Sequence, residues 1–149
     1  MGHFASGVTV MTTTAAGRMH GMTVSAFASE SLEPLLILVS VERSTVMHQL
    51  VAQSKAFAIN ILGDQGEGTA RFFADNARLD GPEFTEGTYH LGATGSPILE
   101  EATAYLEATV EATLDAGDHS VIVGRVVALA VVREAGPLIY YRSGYRRLD

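Results

Sequence analysis

Cysteine and tryptophan are both absent from the 149 residues, and positive charge is scarce, with ten Lys and Arg against seventeen Asp and Glu and a formal charge of −7. The lack of cysteine removes disulfides, thiolate metal sites, iron–sulfur clusters and cysteine nucleophiles together. Any redox chemistry must therefore come from a bound cofactor. The acidic balance repels phosphate backbones and anionic lipid headgroups, so neither nucleic acid nor a membrane surface is expected as a partner. Long apolar runs are missing too. The longest, Leu35 to Val39 and Val126 to Val132, fall far short of the roughly 20 residues that cross a bilayer as a helix. The opening Met1-Gly2-His3-Phe4 has neither a basic nor an apolar signal region, and a cytoplasmic location is expected.

What is present suits sheets. The hydrophobic content is 47%, and a chain of this size reads as one domain spanning 1–149. Gly7 to Thr14 alternates apolar and hydroxylated residues and predicts a strand with one buried face; Ala15-Ala16-Gly17-Arg18 predicts a turn, and His20 to Val24 the second arm of a hairpin. Leu35 to Val41, almost unbroken apolar, predicts a strand buried on both faces. Ser44 is placed to cap a short helix over Thr45 to Gln53. Phe57 to Leu62 returns to strand, Gln65 to Ala74 predicts a second helix, and Ala77 to Ser96 reads as a long surface loop. Tyr105 to Asp115 fits a helix at Leu106, Val110 and Leu114. It also alternates strictly at five positions, and with its β-branched residues it is assigned to a strand. Ala116-Gly117-Asp118 turns the chain into a valine-rich strand, Ser120 to Val132, and Leu138 to Tyr141 makes a last one. About seven strands, mostly hairpin-linked, with two short helices describe a mainly β fold, a small antiparallel barrel.

A set of motifs in fixed order then stands out: Phe4-Ala5-Ser6-Gly7-Val8-Thr9-Val10, Gly21-Met22-Thr23-Val24-Ser25-Ala26-Phe27, Leu32-Glu33-Pro34-Leu35 with Val39-Ser40-Val41, Phe57-Ala58-Ile59-Asn60-Ile61-Leu62, Gln65 with Phe73-Ala74, and Gly117-Asp118-His119-Ser120 with Gly124. From Phe4 to Tyr145 the chain resembles the flavin reductase family. Its first motif stands at the start of the sequence, where family members usually carry a short preceding helix. The resemblance implies an FMN-binding split barrel, usually a homodimer, that reduces FMN or FAD with NADH or NADPH and commonly hands reduced flavin to a separate monooxygenase component.

A flavin asks for donors to its phosphate, a flat apolar wall and hydrogen bonds around its pyrimidine edge. With so few cations, hydroxyls, backbone amides and a helix start must hold the phosphate. Ser40, Val41, Ser44 and Thr45, at a strand end and a helix start, suit that task, although Ser44 also reads simply as a cap. Met22, Thr23, Val24, Ser25 and Ala26 follow a glycine where a strand leaves the sheet; a plain turn would tolerate them equally. By resemblance this segment contacts the isoalloxazine, with Asn60, Ile61 and Leu62 on a neighbouring strand, and Gln65, Phe73 and Ala74 belong to the same cofactor site. His119, after a Gly-Asp turn, matches the histidine that in the family helps form the nicotinamide site; a lone turn histidine is otherwise a solvated bystander. Tyr145 is a weaker candidate for that pocket, against ordinary packing.

Hydride transfer from nicotinamide C4 to flavin N5 requires stacking, orientation and exclusion of water, with no protein nucleophile. Neither Gly-x-Ser-x-Gly nor His-Glu-x-x-His occurs, and the five histidines lack ligand spacing, so no metal site is expected. Two further readings stay open: a flavin-binding or electron-carrying protein without turnover, and a split-barrel oxidoreductase that holds its flavin permanently and acts on an organic substrate.

Overall fold

The computed structural model describes residues 1–149. In chain order it has β1 (Ser6–Gly7), β2 (Thr9–Ala15), β3 (Arg18–Val24), β4 (Phe27–Leu32), β5 (Leu35–Glu42), α1 (Val46–Ser54), β6 (Ala56–Ile61), α2 (Glu67–Ala74), a 3-10 turn (Asn76–Asp80), β7 (Tyr89–Leu91), β8 (Pro97–Leu99), β9 (Ala104–Ala116), β10 (His119–Val131), β11 (Leu138–Tyr141) and β12 (Gly144–Arg147). Seven strands form one antiparallel sheet in the order β3-β2-β6-β9-β10-β5-β4; β1, β11 and β12 form a second sheet, and β7 pairs with β8. The large sheet curls so that β3, one of its edges, meets β5 near the other. The result is a mainly β, split-barrel architecture.

Two cores hold it. Met11, Val39, Val41, Phe57, Ile59 and Ile122 pack beneath α1 through Met47 and Val51. Val8, Val10, Leu62 and Leu138 pack beneath α2 through Ala70 and Phe73. Short helices of this length are marginal alone, so their docked apolar faces keep them folded. The β2–β3 hairpin closes through Ala16 and Gly17 at φ of 51° and 78°, the left-handed pair that matches strand twist.

The predicted elements recur with shifted ends, and five details differ. The strand Phe27–Leu32 went unseen because its middle is polar and exposed; it is an edge strand with a register irregularity between Ser29 and Ser31. The final strand Gly144–Arg147 has no counterpart among the expected elements. The expected loop 77–96 holds most of the 3-10 turn and all of β7, whose partner β8 follows directly after it without a signal in the sequence. The cap of α1 is Thr45, whose Oγ1 accepts from the His48 amide at 3.2 Å, while Ser44 Oγ donates to Glu42 Oε1.

The fifth difference is an exchange of burial between β2 and β5. The threonines of β2, which point to both faces of the strand, are buried or half-buried, because Thr12 Oγ1 donates to Pro97 O (2.6 Å), Thr13 Oγ1 to Ala56 O (2.8 Å) and Thr14 Oγ1 to Gly95 O (2.7 Å). A threonine so bonded is buried at little cost. The apolar run of β5 buries only Ile37, Val39 and Val41, leaving Leu36 and Leu38 half-buried on the other face.

Candidate functional site

The site forms where β3 runs along the open side of the sheet. Its antiparallel partner is β2 alone, so every second residue of β3 turns its amide and carbonyl away from the ladder. At Gly21 these groups are satisfied by side chains: the amide donates to Glu83 Oε1 (3.2 Å) and the carbonyl accepts from Arg78 Nε (3.1 Å). Thr23, two residues on, faces the same way, and no strand or loop pairs its amide. An unpaired backbone donor on a strand edge is a ready partner for the polar rim of a flat ligand.

Beside that edge lies a cavity of about 610 Å³ lined by Met22, Thr23, Ser44, Thr45, Phe73 and Ala74, with His20, Glu42, Val46, Asn76, Arg78 and Leu79 completing it. A smaller hollow of about 210 Å³ shares Thr23 and Ala74 with it and adds Val8, Ser25, Tyr140 and Tyr145. Together they span a cleft of the size that takes a nucleotide. One wall is α2. Thr23 Oγ1 donates to Ala70 O (2.7 Å) and fixes the helix to the strand. A Cβ on Gly21 would stand 2.7 Å from the Phe73 ring, so only glycine lets this aromatic wall sit against the strand. The opposite wall is the start of α1, where the Ser44 and Thr45 hydroxyls stand by the helix N-terminus. Arg71 lies 5.0 Å over the Tyr145 ring, and burial raises the Tyr145 phenol above its ordinary value, with Tyr140 adding to this.

Not every expected residue reaches the cleft. Asn60 is fully buried: its amide donates to Val10 O (3.1 Å), Thr12 Oγ1 (3.3 Å) and Pro97 O (3.4 Å), and its Oδ1 accepts from the Leu99 amide (2.8 Å). It ties β6 to β8 and has nothing left for a ligand. Val24, Val41 and Leu62 point into the cores, and Ile61 packs against one of them. Ser40 pairs with Val121 on the half-exposed face of β5, and Ala26 is exposed on the chain between β3 and β4. Gln65 borders a separate hollow of about 110 Å³ with Asp64 and Arg133.

His119 opens β10 in register with Glu42, which lines the cleft, and is not itself among the residues of its wall. Its Nδ1 lies 2.7 Å from Asp118 Oδ1, and that bond holds the Asp118 carboxyl below its usual range.

Three residues of the site gave no signal in the sequence. His20, Arg78 and Glu83 form a buried cluster at the back of the cleft: Glu83 Oε2 lies 2.9 Å from His20 Nδ1, and Glu83 Oε1 lies 3.4 Å from Arg78 Nε. Burial alone would raise the Glu83 carboxyl; hydrogen bonds from His20 and the Gly21 amide, with the nearby charges, outweigh it and hold the group low. Burial lowers the Arg78 guanidinium, with Glu83 and Asp75 opposing. A second opening of about 430 Å³, on the far side of α2, is bordered by Glu83, Glu100 and Glu101. It offers phosphate no cation.

The lining of the cleft fits a phosphorylated flat ring: a free strand amide at Thr23, the start of α1 with the Ser44 and Thr45 hydroxyls, which in this structure donate to Glu42, an aromatic wall and one partly engaged guanidinium. A sequence profile described as "Flavin reductase like domain" matches residues 1–149. The reductase subunit HsaB of a flavin-dependent monooxygenase from Rhodococcus jostii (strain RHA1) is 34% identical over 151 residues, covering 100% of this chain and 75% of that protein. An NADH-dependent flavin reductase from a Rhodococcus species is 36% identical over 152 residues, 100% of this chain and 83% of that protein. Among solved structures, BorF, the flavin reductase component of a bacterial two-component tryptophan halogenase, superposes with a TM-score of 0.93 at 34% identity, covering 99% of this chain and 92% of that one. The chain belongs to the flavin reductase-like family.

Proposed function

We propose that the protein reduces FMN or FAD with NADH and passes the reduced flavin to a separate monooxygenase. The observation that carries this reading is the unpaired Thr23 edge facing a nucleotide-sized cleft with hydroxyl donors at its α1 wall. When bound, a flavin accepts a hydride at N5 from the nicotinamide C4. The chain supplies placement. Thr23 and Ser25 meet the polar edge of the ring, the Phe73–Ala74 wall keeps water from one side, and Ser44 and Thr45 hold phosphate oxygens. His119, paired with the cleft residue Glu42, orders the nicotinamide from the neighbouring strand end. No side chain needs to act as nucleophile or strong base.

A second copy of the chain covers the outer face of the sheet. Leu38, Val123 and Ala112 stand in register across β5, β10 and β9, as do Ser40, Val121 and Leu114, and registered neighbours share a face. This face lies opposite the buried Ile37, Val39 and Val41, and Leu114 is 56% exposed. A continuous apolar face of this kind marks an interface. Dimerisation would bring each cleft near partner residues, and we place the protein in the cytoplasm, where reduced nicotinamide is available.

Steady-state NADH and NADPH oxidation with free FMN and free FAD tests the function. Flavin-dependent oxidation that favours NADH supports it. Tight co-purification of yellow flavin, with no turnover of added flavin, favours the carrier reading instead. Sedimentation is expected to give a dimer, and Val123→Glu a monomer.

A further inference from the structure

The hairpin that joins β9 to β10 ends in a tip that no apolar packing holds. Every residue from Glu111 to Asp118 is exposed, and β6, which supports the first half of β9, pairs with it only from Ala104 to Thr109. A polar tip of this kind fluctuates unless hydrogen bonds fix it. His119 stands at its base as the first residue of β10, just after the turn through Gly117 at φ of 67°. A side chain that must meet a nicotinamide in one orientation therefore grows from one of the least supported parts of the sheet.

Arg43, directly after β5, grips that tip at three points. Its amide donates to Asp118 O (3.0 Å), extending the β5–β10 ladder one residue past the His119–Glu42 pair. Its guanidinium reaches the turn as well: Nε donates to His119 O (3.4 Å), and Nη2 lies 2.8 Å from Asp115 Oδ1 on β9. Farther along the same segment, on α1, His48 Nε2 is hydrogen-bonded to Ser120 Oγ (2.9 Å). His119 is thus flanked on both sides by anchored residues. Ser44 and Thr45 of this segment border the cleft, whereas Arg43 is not part of its walls. Exposed contacts such as these add little to stability. What they fix is position, and a misplacement on the order of 1 Å is enough to slow a reaction that depends on orientation.

We propose that Arg43 is a positioning residue for His119: it pins the β9–β10 turn to the end of β5 and so sets where the imidazole meets the nicotinamide, without touching either nucleotide itself. This rests on the reading of His119 as the residue that orders the nicotinamide. Because Arg43 precedes Ser44 in the chain, one short segment then places both halves of the reaction, the α1 start on the flavin side and the His119 turn on the nicotinamide side. An arginine that met the dinucleotide directly would act whether or not His119 were present; a positioning residue acts only through it.

The test is a double-mutant cycle on kcat/KM for NADH at saturating FMN, in wild type, Arg43→Ala, His119→Ala and the double variant, with FMN affinity and thermal melts measured on the same samples. Arg43→Ala should lower kcat/KM for NADH about fivefold, the loss of one modest hydrogen bond. It should keep FMN affinity within about twofold and melt within about 3 °C of wild type, since the contacts removed are exposed. In the His119→Ala background the same substitution should change kcat/KM by less than about twofold, because the residue it positions is gone. An equal loss in both backgrounds, a matching fall in FMN affinity, or an Arg43→Ala enzyme as fast as wild type overturns the proposal, while a slow His119→Ala keeps the reading of His119 intact. If His119→Ala alone leaves kcat/KM for NADH unchanged, that reading fails and the proposal with it. A wild type that oxidises no NADH with FMN or FAD overturns the flavin reductase reading itself.

Discussion

Asn60 separates a structural reading from a ligand-binding one. Family resemblance places it against the flavin; the structure buries it between β2, β6 and β8 with both ends of its amide engaged. Asn60→Ala leaves the buried Leu99 amide without its acceptor. The three oxygens that took its protons lose less, because Pro97 O still receives Thr12 Oγ1 at 2.6 Å. One orphaned buried donor costs about 1–3 kcal/mol, and the weakened acceptors bring the total to roughly 2–4 kcal/mol. For a domain near 150 residues each kcal/mol lowers Tm by about 2–4 °C, so the variant should melt roughly 5–15 °C below wild type. FMN affinity, read by quenching of flavin fluorescence well below both melts, should stay within about twofold, a few tenths of a kcal/mol. A variant that melts with wild type but binds FMN tenfold more weakly refutes this assignment and returns Asn60 to the flavin.

Gly21→Ala forces a Cβ to 2.7 Å from the Phe73 ring; displacing that wall should cost about 1–3 kcal/mol of stability and weaken flavin binding together, as a melt and a titration on the same sample will show. Glu107→Gln breaks a different clamp, since this buried carboxylate accepts from the Ala93 and Thr94 amides at 2.9 Å each and from Thr94 Oγ1 at 2.6 Å. The loss should be about 1–3 kcal/mol in denaturant unfolding, with little change in NADH turnover. Glu83 is held below the ordinary carboxylate range, so its contribution is fully present above the unfolded-state value near about 4.3 and disappears as pH falls through the lower folded value. Acid titrations should therefore show wild type losing stability in that window and Glu83→Gln losing less, whereas parallel curves would contradict the buried cluster.

The order of strands was legible because alternation and β-branching have few other solutions: the β2–β3 hairpin, β5, β6, β9 and β10 were all visible. Burial was not. Threonines in β2 read as a solvent face, yet their hydroxyls are spent on backbone carbonyls of residues more than forty positions away, which no local pattern encodes. The apolar run of β5 read as doubly buried although one of its faces is left open. Within the cleft, Thr23, Ser25, Phe73 and Ala74 stand in the family motifs and Ser44 and Thr45 at a legible helix start, and with Tyr145 they border the two adjoining hollows. His20, Arg78 and Glu83 were hidden because an Arg and a Glu in a loop of mixed composition look solvated until tertiary contacts bury them against a strand edge. A buried histidine with an acidic partner 63 residues away has no local signature.

The central claim is that this cleft brings a reduced nicotinamide and a flavin together for direct hydride transfer. An anaerobic single-turnover experiment with NADH carrying deuterium at the transferred position tests it most directly. The account predicts that mixing bleaches the visible absorbance of oxidised FMN or FAD, that deuterium slows the bleaching, and that His119→Ala slows it further while flavin affinity is retained. Flavin that stays oxidised under NADH in the presence of the protein would contradict it.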